Sequence, residues 1–152
     1  MTYWCQRVID AIGRLGPGGF VVDFASYRPD LVQDMAAALQ CAHVDFRRLV
    51  MAPLGSNAHT VPLTAIEATI AGQANERGIV LHNAEALLAT RSASDRRSFV
   101  EGFLAAPRSN VVVLPMALFG REIADHERIV RLTQEDLPTE SLLVQLASMR
   151  FQ

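Results

Sequence analysis

Asn110-Val111-Val112-Val113-Leu114 is apolar without alternation, rich in β-branched residues and bounded by turn residues. A strand with one wet face alternates polar and apolar side chains. A continuous run belongs to a strand buried on both faces, and parallel sheets are built from such strands. Phe20-Val21-Val22-Asp23-Phe24 and Gly78-Ile79-Val80-Leu81 repeat the signal. Few folds bury several strands on both faces, and most of them interleave the strands with helices.

The chain between these runs supplies the helices. Trp4, Val8, Ile12 and Leu15 recur at helical spacing, as do Leu31, Met35 and Leu39. Leu63, Ile66 and Ile70 form a third apolar face, with Thr60 as its expected cap, and Phe99, Val100, Phe103 and Leu104 form a fourth after Ser92. Val44 to Met51 is expected as a second, edge-like strand, because its alternation is imperfect. Ala52 to Val61, with Pro53 and Gly55, is expected as a loop, and Arg128 to Leu132 as a fifth strand. A last helix is expected from Asp136, carrying Leu142, Leu143, Leu146 and Met149. The expected fold is α/β: a three-layer α/β/α sandwich with a mostly parallel, roughly five-stranded sheet, P-loop or Rossmann-like. At 152 residues the chain forms a single domain over 1–152.

Charge narrows the function classes. The net charge of −2 gives no general pull toward nucleic acid or anionic membrane, and no apolar run approaches a membrane span. All 14 basic residues are arginine. Mechanisms that use a lysine of this chain, such as a Schiff base or a phosphate-gripping P-loop lysine, are therefore excluded. Met1 to Cys5 lacks the basic and apolar regions of a secretory signal. The expected location is cytoplasmic, with Cys5 and Cys41 reduced and without C-x-x-C spacing.

The candidate chemistry is sparse. Gly16-Pro17-Gly18-Gly19 precedes a strand, whereas a phosphate-binding loop follows one, so the cluster reads as a helix stop and turn. Asp23 stands near a strand end, where it is expected to cap the next turn or bind an arginine. His82, Asn83 and Glu85 stand beyond the Gly78 strand, where ligands sit in open α/β sheets. His82 with Asp125 and His126 is the candidate metal set, although its spacing matches no ligand signature. Arg47-Arg48 and Arg96-Arg97 are the only basic doublets and lack interleaved aromatics, so nucleic acid is not an expected partner. No G-x-S-x-G elbow is present.

In this order the elements resemble the core of a P-loop ATPase of the AAA-like group, from about Phe20 onward. Gly78 to Leu88 looks like that family's second nucleotide motif, Asn110 to Leu114 like its sensor strand, and Ile129 to Leu137 like its last strand and the connection to a terminal helix. The departures fall on the chemistry. Ala25-Ser26-Tyr27-Arg28-Pro29-Asp30 stands where the phosphate loop belongs and has neither glycine nor lysine. Asp23 and Asp30 bring negative charge there, and His82 or Asn83 stands where a metal-binding aspartate is expected. The resemblance implies a degenerate member that does not hydrolyse ATP, holds no cofactor and serves as an adaptor or assembly subunit. Such an ATPase would continue into a helical lid after the last helix, so a protein partner or self-association is expected to cover the domain. The alternative is a small metal-assisted hydrolase that uses the strand-end carboxylates Asp23 and Glu85 with His82.

Overall fold

The computed structural model describes residues 4–139. Five strands form one parallel sheet in the order β2-β3-β4-β1-β5: β1 (Gly18–Phe24), β2 (Ala42–Asp45), β3 (Gly78–His82), β4 (Val111–Met116) and β5 (Ile129–Leu132). The helices are α1 (Gln6–Leu15), α2 (Pro29–Leu39), α3 (Thr64–Gln73), the one-turn α4 (Glu85–Leu88) and α5 (Ala93–Ala105). The three-layer α/β architecture expected from the apolar runs is the one observed.

Each strand sends alternate side chains into a different core. Phe20, Val22, Val80, Val113 and Val130 pack with Val8 of α1 and with Leu31 and Met35 of α2. Val21, Ile79, Leu81, Val112 and Leu114 pack with Ile66 and Ile70 of α3, Leu87 and Leu88 of α4, and Val100 and Phe103 of α5. This double burial explains why β1, β3 and β4 read as continuous apolar runs.

Local signals set the element ends. Pro29 occupies the first turn of α2, where its missing N–H costs no bond. Ser92 caps α5 by accepting the Asp95 N–H at 3.1 Å. Asn75 Oδ1 accepts the N–H groups of Arg77 and Gly78, both at 2.9 Å, and launches β3. At the other end of β3, Asn83 turns the chain through the left-handed region at φ 63°. Gly16 ends α1, but Gly18 and Gly19 belong to β1 and not to the turn.

Three expectations need correction: the extent of the second strand, the loop over 52–61 and the Thr60 cap. The second strand stops at Asp45, and residues 47–51 form a π-helical turn that continues into a 3-10 stretch over 52–60. Phe46 is fully buried in the second core, and anchoring it rolls the chain off the sheet edge. Thr60 does not cap α3: its hydroxyl donates to the Asn57 carbonyl, and the helix starts after Leu63. The 3-10 turn Gln134–Asp136 carries a reciprocal cap between Thr133 and Asp136, and the expected last helix lies outside the described residues.

Gly78 marks the closest approach within the sheet. Its φ is 142°, and a Cβ there would collide with the Val111 carbonyl oxygen on the neighbouring strand. Gly78→Ala is expected to cost about 2–4 kcal/mol, more than a surface substitution, because backbone and not a flexible side chain must move. Urea denaturation of the variant checks this: an unchanged midpoint would refute the close approach.

Candidate functional site

The connection leaving β1 becomes α2 on one face of the sheet, whereas the chain leaving β4 places Ile123 in the core on the other face. β1 and β4 are neighbours, so their carboxyl ends form the topological switch point where an open α/β sheet receives its ligand. The crevice there is lined by Phe24, Ser26, Tyr27 and Arg28 at and after the end of β1, by His82, Asn83 and Glu85 at and after the end of β3, and by Met116 and Ala117 at and after the end of β4. Sequence reasoning places the site in this region.

Glu85 is buried, and its carboxylate is fully engaged. One oxygen accepts from Ala117 N–H at 2.6 Å and from Leu118 N–H at 3.3 Å. The other accepts from Leu118 N–H at 3.0 Å and Phe119 N–H at 2.9 Å. Three successive amides make a concavity suited to an anion, and the side chain of this same molecule fills it. Glu85 joins the end of β3 to the end of β4.

Tyr27 covers the crevice beside it. Its ring stacks on His82 at 5.8 Å between centroids with 21° between planes, and its hydroxyl donates to Asn83 Oδ1 at 3.2 Å. Arg28 pairs with Asp30 at 3.0 Å and donates to the Pro138 carbonyl at 2.9 Å. The remaining room is about 20 Å³, enough for about one water. Small-molecule sites offer roughly 300–1,000 Å³.

The other candidates lie elsewhere. Asp23 projects from the same face as Val21, and His82 from the opposite face with Val80. Asp23 binds Arg131 at 2.8 Å, as the expectation of an arginine partner holds. Arg131 also holds Asp125 at 2.9 Å and the carbonyls of Gly120 and Ile123 at 2.8 and 2.6 Å. Arg131 is the hub of the loop from β4 to β5, and sequence reasoning missed it. Its signal was a single charge between the apolar Val130 and Leu132. An open trough of about 740 Å³ runs beside this network between the ends of β1 and β5, and Arg131, the cation that binds Asp23 and Asp125 there, is already matched by them.

His126 accepts the Arg128 N–H at 3.0 Å through Nδ1. Among the described residues no three His, Cys, Asp or Glu side chains are grouped to hold a metal, so His82, Asp125 and His126 are not brought together. Burial pushes the Cys5 thiol up to about 11 and raises that of Cys41 as well. Both cysteines are free thiols that stay protonated at neutral pH, which does not suit a nucleophile. Of the arginine doublets, Arg96 forms a two-pronged pair with Glu122 at 2.9 and 2.5 Å, whereas Arg47 and Arg48 are exposed. No described helix is long and apolar enough to cross a membrane. Comparison with protein-family models, curated proteins and solved structures returns no match.

Two outcomes follow from this geometry. Glu85→Gln keeps the shape but loses the charge that three amides share. It is expected to cost about 1–3 kcal/mol in denaturant unfolding, and an unchanged stability would show that the bonds carry no weight. For His82, burial holds the imidazole below its ordinary 6.5; the nearby Asp45 opposes this and His43 adds to it. The unfolded chain therefore takes up this proton more readily than the folded one. The stability is complete above about pH 6.5 and falls as the pH drops through the folded value. His43 is shifted in the same direction, mainly by burial. His82→Gln should flatten the fall in melting temperature between pH 7 and 5, and an unaltered slope would exclude His82 as its source.

Proposed function

We propose that this protein is a non-catalytic α/β domain, similar to a degenerate P-loop ATPase, that acts as an adaptor or assembly subunit of a larger cytoplasmic complex. The observation that carries this reading is the closed switch-point crevice. Tyr27, Arg28 and Glu85 occupy the space and the amides that a phosphate would need, and about 20 Å³ is left.

Three further features support it. The 25–30 connection contains neither the glycines that let a loop close round a phosphate nor the lysine that neutralises it. Asp30 is held below its ordinary range, chiefly by its hydrogen bond to Arg28, so it stays charged and occupies the guanidinium that would otherwise be open to an anion. The two strand-end carboxylates, Asp23 and Glu85, are each consumed by partners within the fold, which leaves neither as a free base.

The test is titration calorimetry with ATP and magnesium, together with a phosphate-release assay on the purified chain. The expected result is neither saturable heat nor release above the protein-free rate. Micromolar binding accompanied by turnover would overturn the proposal.

A further inference from the structure

Among the described residues four large hydrophobic side chains stand exposed: Tyr27, Leu49, Leu54 and Leu118. All four lie on chain that leaves the carboxyl ends of strands: Tyr27 after β1, Leu49 and Leu54 after β2, and Leu118 after β4. They stand on the rim of loops at this one end of the sheet, and α4 and the residue just beyond it tie two of those loops. Glu85 of α4 holds the Leu118 N–H at 3.0 Å. Arg91, just beyond α4, donates to the His59 and Val61 carbonyls at 3.3 and 2.6 Å and pins the end of the 52–60 turn. Within that turn Leu54 precedes Gly55, whose φ of 54° reverses the chain and leaves the leucine outward.

The stretch after β2 is basic, in contrast to the chain as a whole. No acidic residue occurs between Asp45 and Glu67. Several acids leaving β1 to β4 on this side are already held: Asp30 by Arg28, Asp45 by the Arg48 N–H, Glu85 by three amides, Glu122 by Arg96 and Asp125 by Arg131. Arg47, Arg48 and Arg121 are exposed, and no ion pair to any of them is formed among the described residues. Exposed arginines outside any ion pair therefore stand close in sequence to exposed leucines: Arg47 and Arg48 beside Leu49, and Arg121 three residues after Leu118. The π-helical turn that displays two of those arginines is a rare conformation that frequently marks functional sites.

We propose that this rim, Leu49, Leu54 and Leu118 with Arg47, Arg48 and Arg121, docks an acidic segment of a partner protein in which carboxylates alternate with apolar side chains. The inference deepens the adaptor reading and rests on it. Charge complementarity selects the occupant. A second copy of the chain would bring two basic rims together in a self-complementary contact, where like charges repel. A single-stranded nucleic acid would stack on aromatic faces between the cations, and Tyr27, the one exposed Phe, Tyr or Trp among the described residues, has its ring stacked on His82. Arginine and leucine side chains at the centre of a contact favour carboxylates beside apolar groups.

The experiment is fluorescence anisotropy on the full chain with three probes: a labelled helical peptide with Glu and Leu faces, the same peptide with Lys for Glu, and a short single-stranded oligonucleotide. The acidic peptide is expected to bind saturably and the basic one not. R47E with R48E should weaken the acidic peptide about tenfold or more and admit the basic one. Leu49→Ser with Leu54→Ser, on exposed positions, should weaken it similarly while circular dichroism stays unchanged. Equal binding of both peptides, tighter binding of the oligonucleotide, or no saturable binding of the acidic peptide would overturn the inference. A dimer in sedimentation that the leucine variants abolish would also overturn it, in favour of self-association. ATP turnover would remove the adaptor reading and leave the peptide result standing. Failure with the peptide and no ATP binding would remove only this inference.

Discussion

The Glu85 carboxylate, held by the amides of Ala117, Leu118 and Phe119, is the interaction on which the functional edge of this fold depends. A buried carboxylate is costly unless every lone pair is matched, and here backbone donors match both oxygens. The bond set closes the gap between the ends of β3 and β4. It also spends three donors that would otherwise face the switch point. What is elsewhere a ligand's place becomes a joint between two loops.

The rest of the edge follows from that joint. With the β4 loop drawn toward α4, Leu118 points outward and Phe119 lies beneath the Arg96 guanidinium at 4.1 Å. Arg96 in turn grips Glu122, and Arg131 gathers Gly120, Ile123, Asp23 and Asp125. Gly120 is required there, since a Cβ would collide with the Asp23 carboxyl. A chain of hydrogen-bonded charges thus fixes the β4–β5 connection without a ligand.

Much of the architecture was legible in the sequence because double burial leaves an unmistakable mark. Val111 to Leu114 and Ile79 to Leu81 have no polar residue to place on a wet face. The second strand was read too long because Phe46 looks like a strand residue, and its burial against the α3 side instead turns the chain into a π-helical turn. Strand order was not legible, since pairing depends on which connections cross the sheet and not on composition. Within the site, the position of Glu85 was legible and its role was not. The residues it binds contribute only main-chain N–H groups, which leave no trace in side-chain identity. His82 and Asp23 read as neighbours at strand ends, yet strand alternation sends them to opposite faces.

The switch-point amides are already occupied by Glu85. Hydrogen exchange resolved at single residues measures this directly. Slow exchange is expected at Ala117, Leu118 and Phe119 in the protein alone, lost in Glu85→Gln and unaffected by ATP with magnesium. Fast exchange at these amides in the unmodified protein, slowed on adding ATP, would contradict it.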